Sequence, residues 1–231
     1  VEKKNRDTAI KLLKQKCDAN TPQVDGTTAL HWAAYHDDAE LGLMLLEAGA
    51  RAGAENRYGV TSLYSACQNG NAKLVIALLQ HGADPDTSLQ GEEALLTASR
   101  TGSVEVVKTL LKSGAKINAE DRNNQTALMW AAAEGNLEVV EILIEAGANI
   151  RHQLDSGFTP LLFAVREGRE PVVHALLNAG LDVNEAATPE KGRLPRGSTP
   201  LTLAIENGHF TLATSLLEAG ANPNDTRSGF S

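Results

Sequence analysis

Histidine and cysteine are the residues through which this sequence could do acid–base, nucleophilic or metal chemistry, because imidazole titrates near neutral pH and thiolates attack and ligate. Six histidines (His31, His36, His81, His152, His174 and His209) and two cysteines (Cys17 and Cys67) are available. They do not converge. The histidines fall at different positions of different sequence repeats, so a nucleophile, a base and an orienting group would rarely meet. No H-E-x-x-H, paired C-x-x-C, G-x-S-x-G or glycine-rich loop ending in Lys-Ser or Lys-Thr occurs. The cysteines have neither a disulfide framework nor metal-ligand spacing. Cys67 stands where other copies of the repeat put Ala, Ser, Val or Ile, which marks it as a small buried apolar residue. The sequons at Asn124 and Asn224 carry meaning only in a secreted, glycosylated chain. The expectation is a chain that is not an enzyme, with no catalytic residues, no metal and no cofactor.

Recognition is the second chemistry to consider. Trp, Tyr and Arg carry most of the binding energy at protein interfaces, because each combines a large contact area with a fixed polar handle. Among the aromatic and arginine residues of this sequence the candidates are Trp32, Trp130, Tyr35, Tyr58 and Phe163, with Arg57, Arg100, Arg122, Arg166, Arg193 and Arg196. The formal net charge is -8 and the pI about 5.3. A polyanion is therefore not the expected partner, since nucleic-acid binding needs clustered Lys and Arg to displace counterions. No apolar run is long enough for a membrane span, so no membrane insertion is expected.

A repeat must position these residues. The phrase GTTALHWAAYHD at 26 returns as GVTSLYSACQNG at 59, GEEALLTASRTG at 91, NQTALMWAAAEG at 124, GFTPLLFAVREG at 157 and GSTPLTLAIENG at 197. Its leucines are Leu30, Leu63, Leu95, Leu128, Leu161 and Leu201; a second phrase, LLEAGA and its variants, places glycines at Gly49, Gly82, Gly114, Gly147, Gly180 and Gly220. Both series step by 33, 32, 33, 33 and 40. Two independent markers keeping one period define a repeat architecture.

Within one unit, Thr159 suits an N-cap and Pro160 the first helical position, where a missing N–H costs nothing. A first helix runs from there to near Gly168, a step that needs φ > 0. In LEVVEILIEAG, Leu137, Val140, Leu143 and Ile144 share a helical face that Gly147 terminates. Glu138, Glu141 and Glu145 take the opposite, solvated face. Neither helix is long enough to be stable alone, so each unit must bury its apolar side against the next.

In period and phrase the chain resembles the ankyrin repeat family, over nearly its whole length. The resemblance implies an all-α fold: an ankyrin-repeat solenoid of stacked antiparallel helix pairs with projecting β-turn or hairpin loops. The units run 26–58, 59–90, 91–123, 124–156, 157–196 and 197–228. Residues 1–25 read as the second helix and loop of a partial repeat, and 229–231 as the start of another, so the array is expected to be cut at both ends. The family's phrase histidine survives only as His31; in the family this side chain hydrogen-bonds neighbouring loops, which implies a thinner network here. Asp37 and Asn124 replace glycines, and both residue types tolerate the left-handed conformation. Glu93 replaces the capping Thr, at about 1 kcal/mol.

At about 100° per residue, Leu30, Ala33 and Ala34 face the second helix, while Trp32, Tyr35 and His36 point the other way. Arg100, Trp130, Phe163 and Arg166 fall on the same side in later copies, and Arg57, Tyr58, Arg122, Arg193 and Arg196 sit on turns. The resemblance implies that this side, with the turns, lines a concave groove that binds a protein or peptide. Trp32 and Trp130 have a second reading, as packing between adjacent first helices. Lys11, Lys14, Lys73, Lys108 and Lys112 all fall in second helices, so Arg on the groove side points to an acidic or carboxylate-bearing partner. The leading function is a monomeric protein-interaction scaffold; the alternative is a regulatory or targeting domain of a larger enzyme or channel whose active segment lies outside these residues. The seven extra residues near 185–196 read either as a tolerated loop or as a partner-contacting finger, removable without loss of stability on both readings. Compartment is left open.

Overall fold

The computed structural model describes residues 2–191 and 194–224, which fall into two compact units, 1–116 and 117–231. In the first unit, α1 (Glu2–Lys14) precedes three helix pairs: α2 (Ala29–Tyr35) with α3 (Ala39–Glu47), α4 (Ser62–Gln68) with α5 (Ala72–Gln80), and α6 (Ala94–Thr101) with α7 (Val104–Lys112). First helices pack on first helices and second helices on second helices, and α1 packs on α3. The second unit repeats this with α8 (Ala127–Glu134) and α9 (Leu137–Glu145), α10 (Pro160–Arg166) and α11 (Glu170–Asn178), and α12 (Pro200–Glu206) and α13 (Phe210–Glu218). The architecture is the all-α stack of helix pairs that the repeat implies.

Local chemistry sets the helix starts. Thr61, Thr126, Thr159 and Thr199 accept at Oγ1 from the backbone N–H three residues on, at 3.1–3.4 Å. Glu93 occupies the cap position without a capping hydrogen bond. A hairpin, β1 (Ser88–Leu89) and β2 (Glu92–Glu93), leads into that helix instead. Its turn residues, Gln90 and Gly91, have φ of 54° and 81°, the sign pattern of a type I′ turn. Asp37 and Asn124 take φ of 58° and 59°, the conformation expected of residues standing in for glycine.

The core follows the repeat. Leu30, Leu63, Leu95, Leu128 and Leu161 are at most 1% exposed. On α9 the buried residues are Val139, Val140 and Leu143, whereas Leu137 and Ile144 are half-buried. The buried stripe is thus wider than the single face read from sequence, because α9 packs against both α8 and α11. Glu138, Glu141 and Glu145 are exposed. Cys67 is fully buried, and burial pushes its thiol up to about 12, whereas Cys17 is exposed.

A ladder of side-chain acceptors joins successive loops. Asn20 accepts from Arg51 N and Asp86 from Lys116 N in the first unit; Asn118 accepts from Asn149 N and Asn184 from Asn222 N in the second, each at 2.8 Å. Asn20 also donates to Gly49 O at 2.9 Å. The same register places Gly53 where a rung is missing, and a Cβ there would meet only Gly82 O, at 4.0 Å. Gly53→Asn should therefore supply acceptor and donor while lowering unfolded-state entropy, a gain of about 1 kcal/mol. We expect a thermal midpoint raised by about 2–4 °C; an unchanged or lowered midpoint in a melting experiment would refute the rung.

The segment beyond Asp182 corrects one expectation. Ala187 and Leu194 are buried, Ala187 N donates to Ser198 O at 2.8 Å, and Gly197 N donates to Ala187 O at 2.8 Å. Removing residues 185–191 would uncover apolar surface and orphan these groups, so stability would fall.

Candidate partner-binding face

The phrase histidine is a structural link. His31 is 4% exposed; its Nδ1 accepts from Thr28 N at 3.2 Å, and its Nε2 donates to Val60 O, on the next turn, at 3.1 Å. Burial lowers its pKa, with the carbonyl of Val60 opposing in part. A histidine folded in its neutral form contributes its full stability above the unfolded value of about 6.5. That contribution is lost as pH falls from there through the folded pKa, because the unfolded chain binds the proton more readily. We expect the melting point to decline between pH 7.5 and 5.5, and His31→Gln to flatten part of that decline. Parallel slopes in the two proteins would refute it.

The other histidines are likewise engaged. His36 stacks on Trp32, His81 Nδ1 donates to Ala77 O at 2.8 Å, His152 Nε2 to Asn124 O at 3.0 Å, and His209 Nε2 to Arg166 O at 2.8 Å; His174 lies 3.7 Å from Glu170. Among the described residues no three His, Cys, Asp or Glu side chains gather as a metal site, and no helix is long and apolar enough to cross a membrane.

In the first unit the recognition residues form a local aromatic group. Trp32 stacks on His36 at 5.6 Å, and Tyr35 meets Trp32 edge-on at 6.0 Å and His36 at 5.1 Å. Trp32 is 44% and Tyr35 68% exposed, so this group faces solvent. Tyr58 is 67% exposed on its turn, beside Arg57, whose Nη2 donates to Val24 O at 2.9 Å. Arg100 is ion-paired with Glu92 at 2.9 Å, and Thr97 Oγ1, between Tyr64 Oη and the same carboxylate, ties the pair to the core. Arg100 is thus partly neutralised by its own hairpin, a partner that sequence reasoning missed.

In the second unit Trp130 is half-buried and its Nε1 donates to Asp121 at 3.2 Å. Arg122 and Arg196 are exposed; Arg193 lies outside the described residues. Arg166 is held by two rings and a carboxylate. Its Cζ lies 4.9 Å from the ring centres of both Phe158 and Phe163, and its Nε donates to Glu167 at 2.8 Å. Phe158 was not among the sequence candidates. The available signal was its position beside the cap Thr159, with Phe163 three residues before Arg166 and hence one turn away on the helix. An open groove of about 660 Å³ brings Arg122, Phe158, Phe163 and Arg166 together.

Comparisons with known proteins agree with this architecture. A family model described as ankyrin repeats matches residues 1–89, 33–121, 95–187 and 151–227 in overlapping segments. Among solved structures the chain is similar to the crystal structure of the human ASB11 ankyrin repeat domain, at 25% identity and a TM-score of 0.78, over 94% of this chain and 98% of that one. No curated protein matches. The periodic phrases, the capped helix pairs and the family model together place the chain in the ankyrin repeat family.

Proposed function

We propose that the chain is a non-enzymatic, monomeric scaffold that binds an acidic protein or peptide through its first-helix face and the preceding turns. Ankyrin repeats are in general protein–protein interaction modules. The observation that carries the finer reading is a bias in cation type, to which Arg6 in α1, Arg169 at the start of α11 and Lys191 in the groove are exceptions. Arg57, Arg100, Arg122, Arg166 and Arg196 belong to first helices or turns alongside exposed Tyr35 and Tyr58, while Lys11, Lys14, Lys73, Lys108 and Lys112 lie on second helices. Arginine's planar fork pairs with carboxylates bidentately and stacks on aromatic rings, which a lysine ammonium does not do.

Affinity capture from a lysate of the source cells tests this. The variant Arg100→Glu/Arg122→Glu/Arg166→Glu should lose the proteins that the natural chain retains, while Lys73→Glu/Lys108→Glu/Lys112→Glu keeps them, both variants melting as cooperatively as the parent. Unchanged capture by the arginine variant would remove the basis for this reading.

A further inference from the structure

Residues 185–191 and 194–196 give the second unit a wall beside its groove. The step across this segment is 40 residues where the others are 32 or 33. The added length folds back on the preceding turn: Glu190 N and Lys191 N both donate to Asp155 O at 2.9 Å, and Thr188 Oγ1 donates to Gln153 Oε1 at 3.1 Å. Pro189 lies so close to Gly157 that a Cβ there would come within 3.1 Å of it. The anchored segment adds Lys191 and the buried Leu194 to the groove lined by Phe158, Phe163, Arg166 and Arg122.

The lining mixes two chemistries. Its charged side chains are Arg122, Arg166 and Lys191 against the single carboxylate of Asp155, in a chain whose net charge is -8. Beside the cations the lining holds two phenylalanine rings and two leucines, Leu154 and Leu194. Packing on both rings orients the Arg166 guanidinium, and Glu167 engages only Nε, so the Nη donors remain for a ligand. Two rings holding a guanidinium at the edge of an apolar surface complement an anion attached next to an apolar group, with less ordering cost than a mobile cation would incur.

We infer that this groove, walled by residues 188–191 and Leu194, docks a peptide segment presenting an Asp or Glu carboxylate beside an apolar side chain such as Leu or Phe. The inference rests on the protein-binding reading above and narrows it to one subsite. The carboxylate pairs with Arg166 and is drawn in by Arg122 and Lys191; the neighbouring apolar side chain covers Phe158 and Leu194.

The test is selection of a displayed random heptapeptide library on the whole chain, followed by fluorescence polarisation of the enriched peptides. Enriched peptides should carry Asp or Glu within two residues of an apolar side chain. Replacing that acid by its amide, or Arg166 by Gln, should weaken binding at least tenfold, and Lys191→Gln several-fold. Lys191 has an exposed side chain and its main-chain bond to Asp155 survives substitution, so its variant guards against a loss caused by misfolding. No enrichment, enrichment of peptides without acids, or binding indifferent to both variants overturns the subsite. Should the subsite fail while the triple arginine reversal still abolishes lysate capture, the broader reading stands; should the reversal have no effect, that reading falls instead.

Discussion

Leu161→Ala should cost about 3 kcal/mol of unfolding free energy, the middle of the range for a fully buried leucine that leaves a cavity. Leu161 is 1% exposed in α10, which packs against α8, α11 and α12 at once. No single neighbour can collapse into the space without giving up its own contacts. Because each repeat is stabilised mainly by the repeats beside it, the loss is shared along the stack. The melting point should fall by about 6–12 °C. Leu217→Ala is the matched control: this side chain is 43% exposed, so its truncation should cost under about 1 kcal/mol. Equal losses at the two positions would show that the first-helix leucines do not form the core.

Gly168→Ala should cost about 2–3 kcal/mol through two separable effects. Its φ of +66° is left-handed, which a Cβ makes unfavourable by roughly 1–2 kcal/mol. In addition, a Cβ at Gly168 would lie 2.8 Å from the ring of His209, which is held there by its hydrogen bond to Arg166 O. Moving that ring gives up the bond, worth about 1 kcal/mol. Gly147 separates the two, because its φ is +88° but nothing lies within 4 Å of its would-be Cβ. Gly147→Ala should therefore show the backbone effect alone. In a His209→Ala background, Gly168→Ala should cost only as much as Gly147→Ala. If Gly168→Ala is equally costly with and without the imidazole, the close approach is not what requires glycine.

That second effect marks how much the sequence discloses. The need for positive φ at Gly168, and at Asp37 and Asn124 in place of glycine, is local chain chemistry and legible in one repeat. The caps at Thr61, Thr126, Thr159 and Thr199 and the buried phrase leucines are legible for the same reason, since periodicity reports each unit's own shape. Contacts that a single repeat makes on its own leave no periodic trace. The pairing of Arg100 with Glu92 depends on a hairpin that, among the described residues, one repeat makes, and the approach of His209 to Gly168 depends on which residue type the next repeat offers. The 185–196 segment breaks the period outright. The docking of Glu190 and Lys191 uses the main-chain oxygen of Asp155, a partner every residue possesses and no motif announces. The recognition residues were legible as types on one side of a helix, but the position of Phe158 under Arg166 required the fold.

Amide hydrogen exchange on the chain, free and saturated with a protein recovered by capture, tests the binding face most directly. The partner should slow exchange in peptides spanning the turns at 56–60, 121–125 and 155–159 and the starts of the helices that follow them, with the second helices α7 and α9 unchanged. Protection confined to α7 and α9, with those turns exchanging as in the free chain, would place the partner on the opposite side and contradict the account.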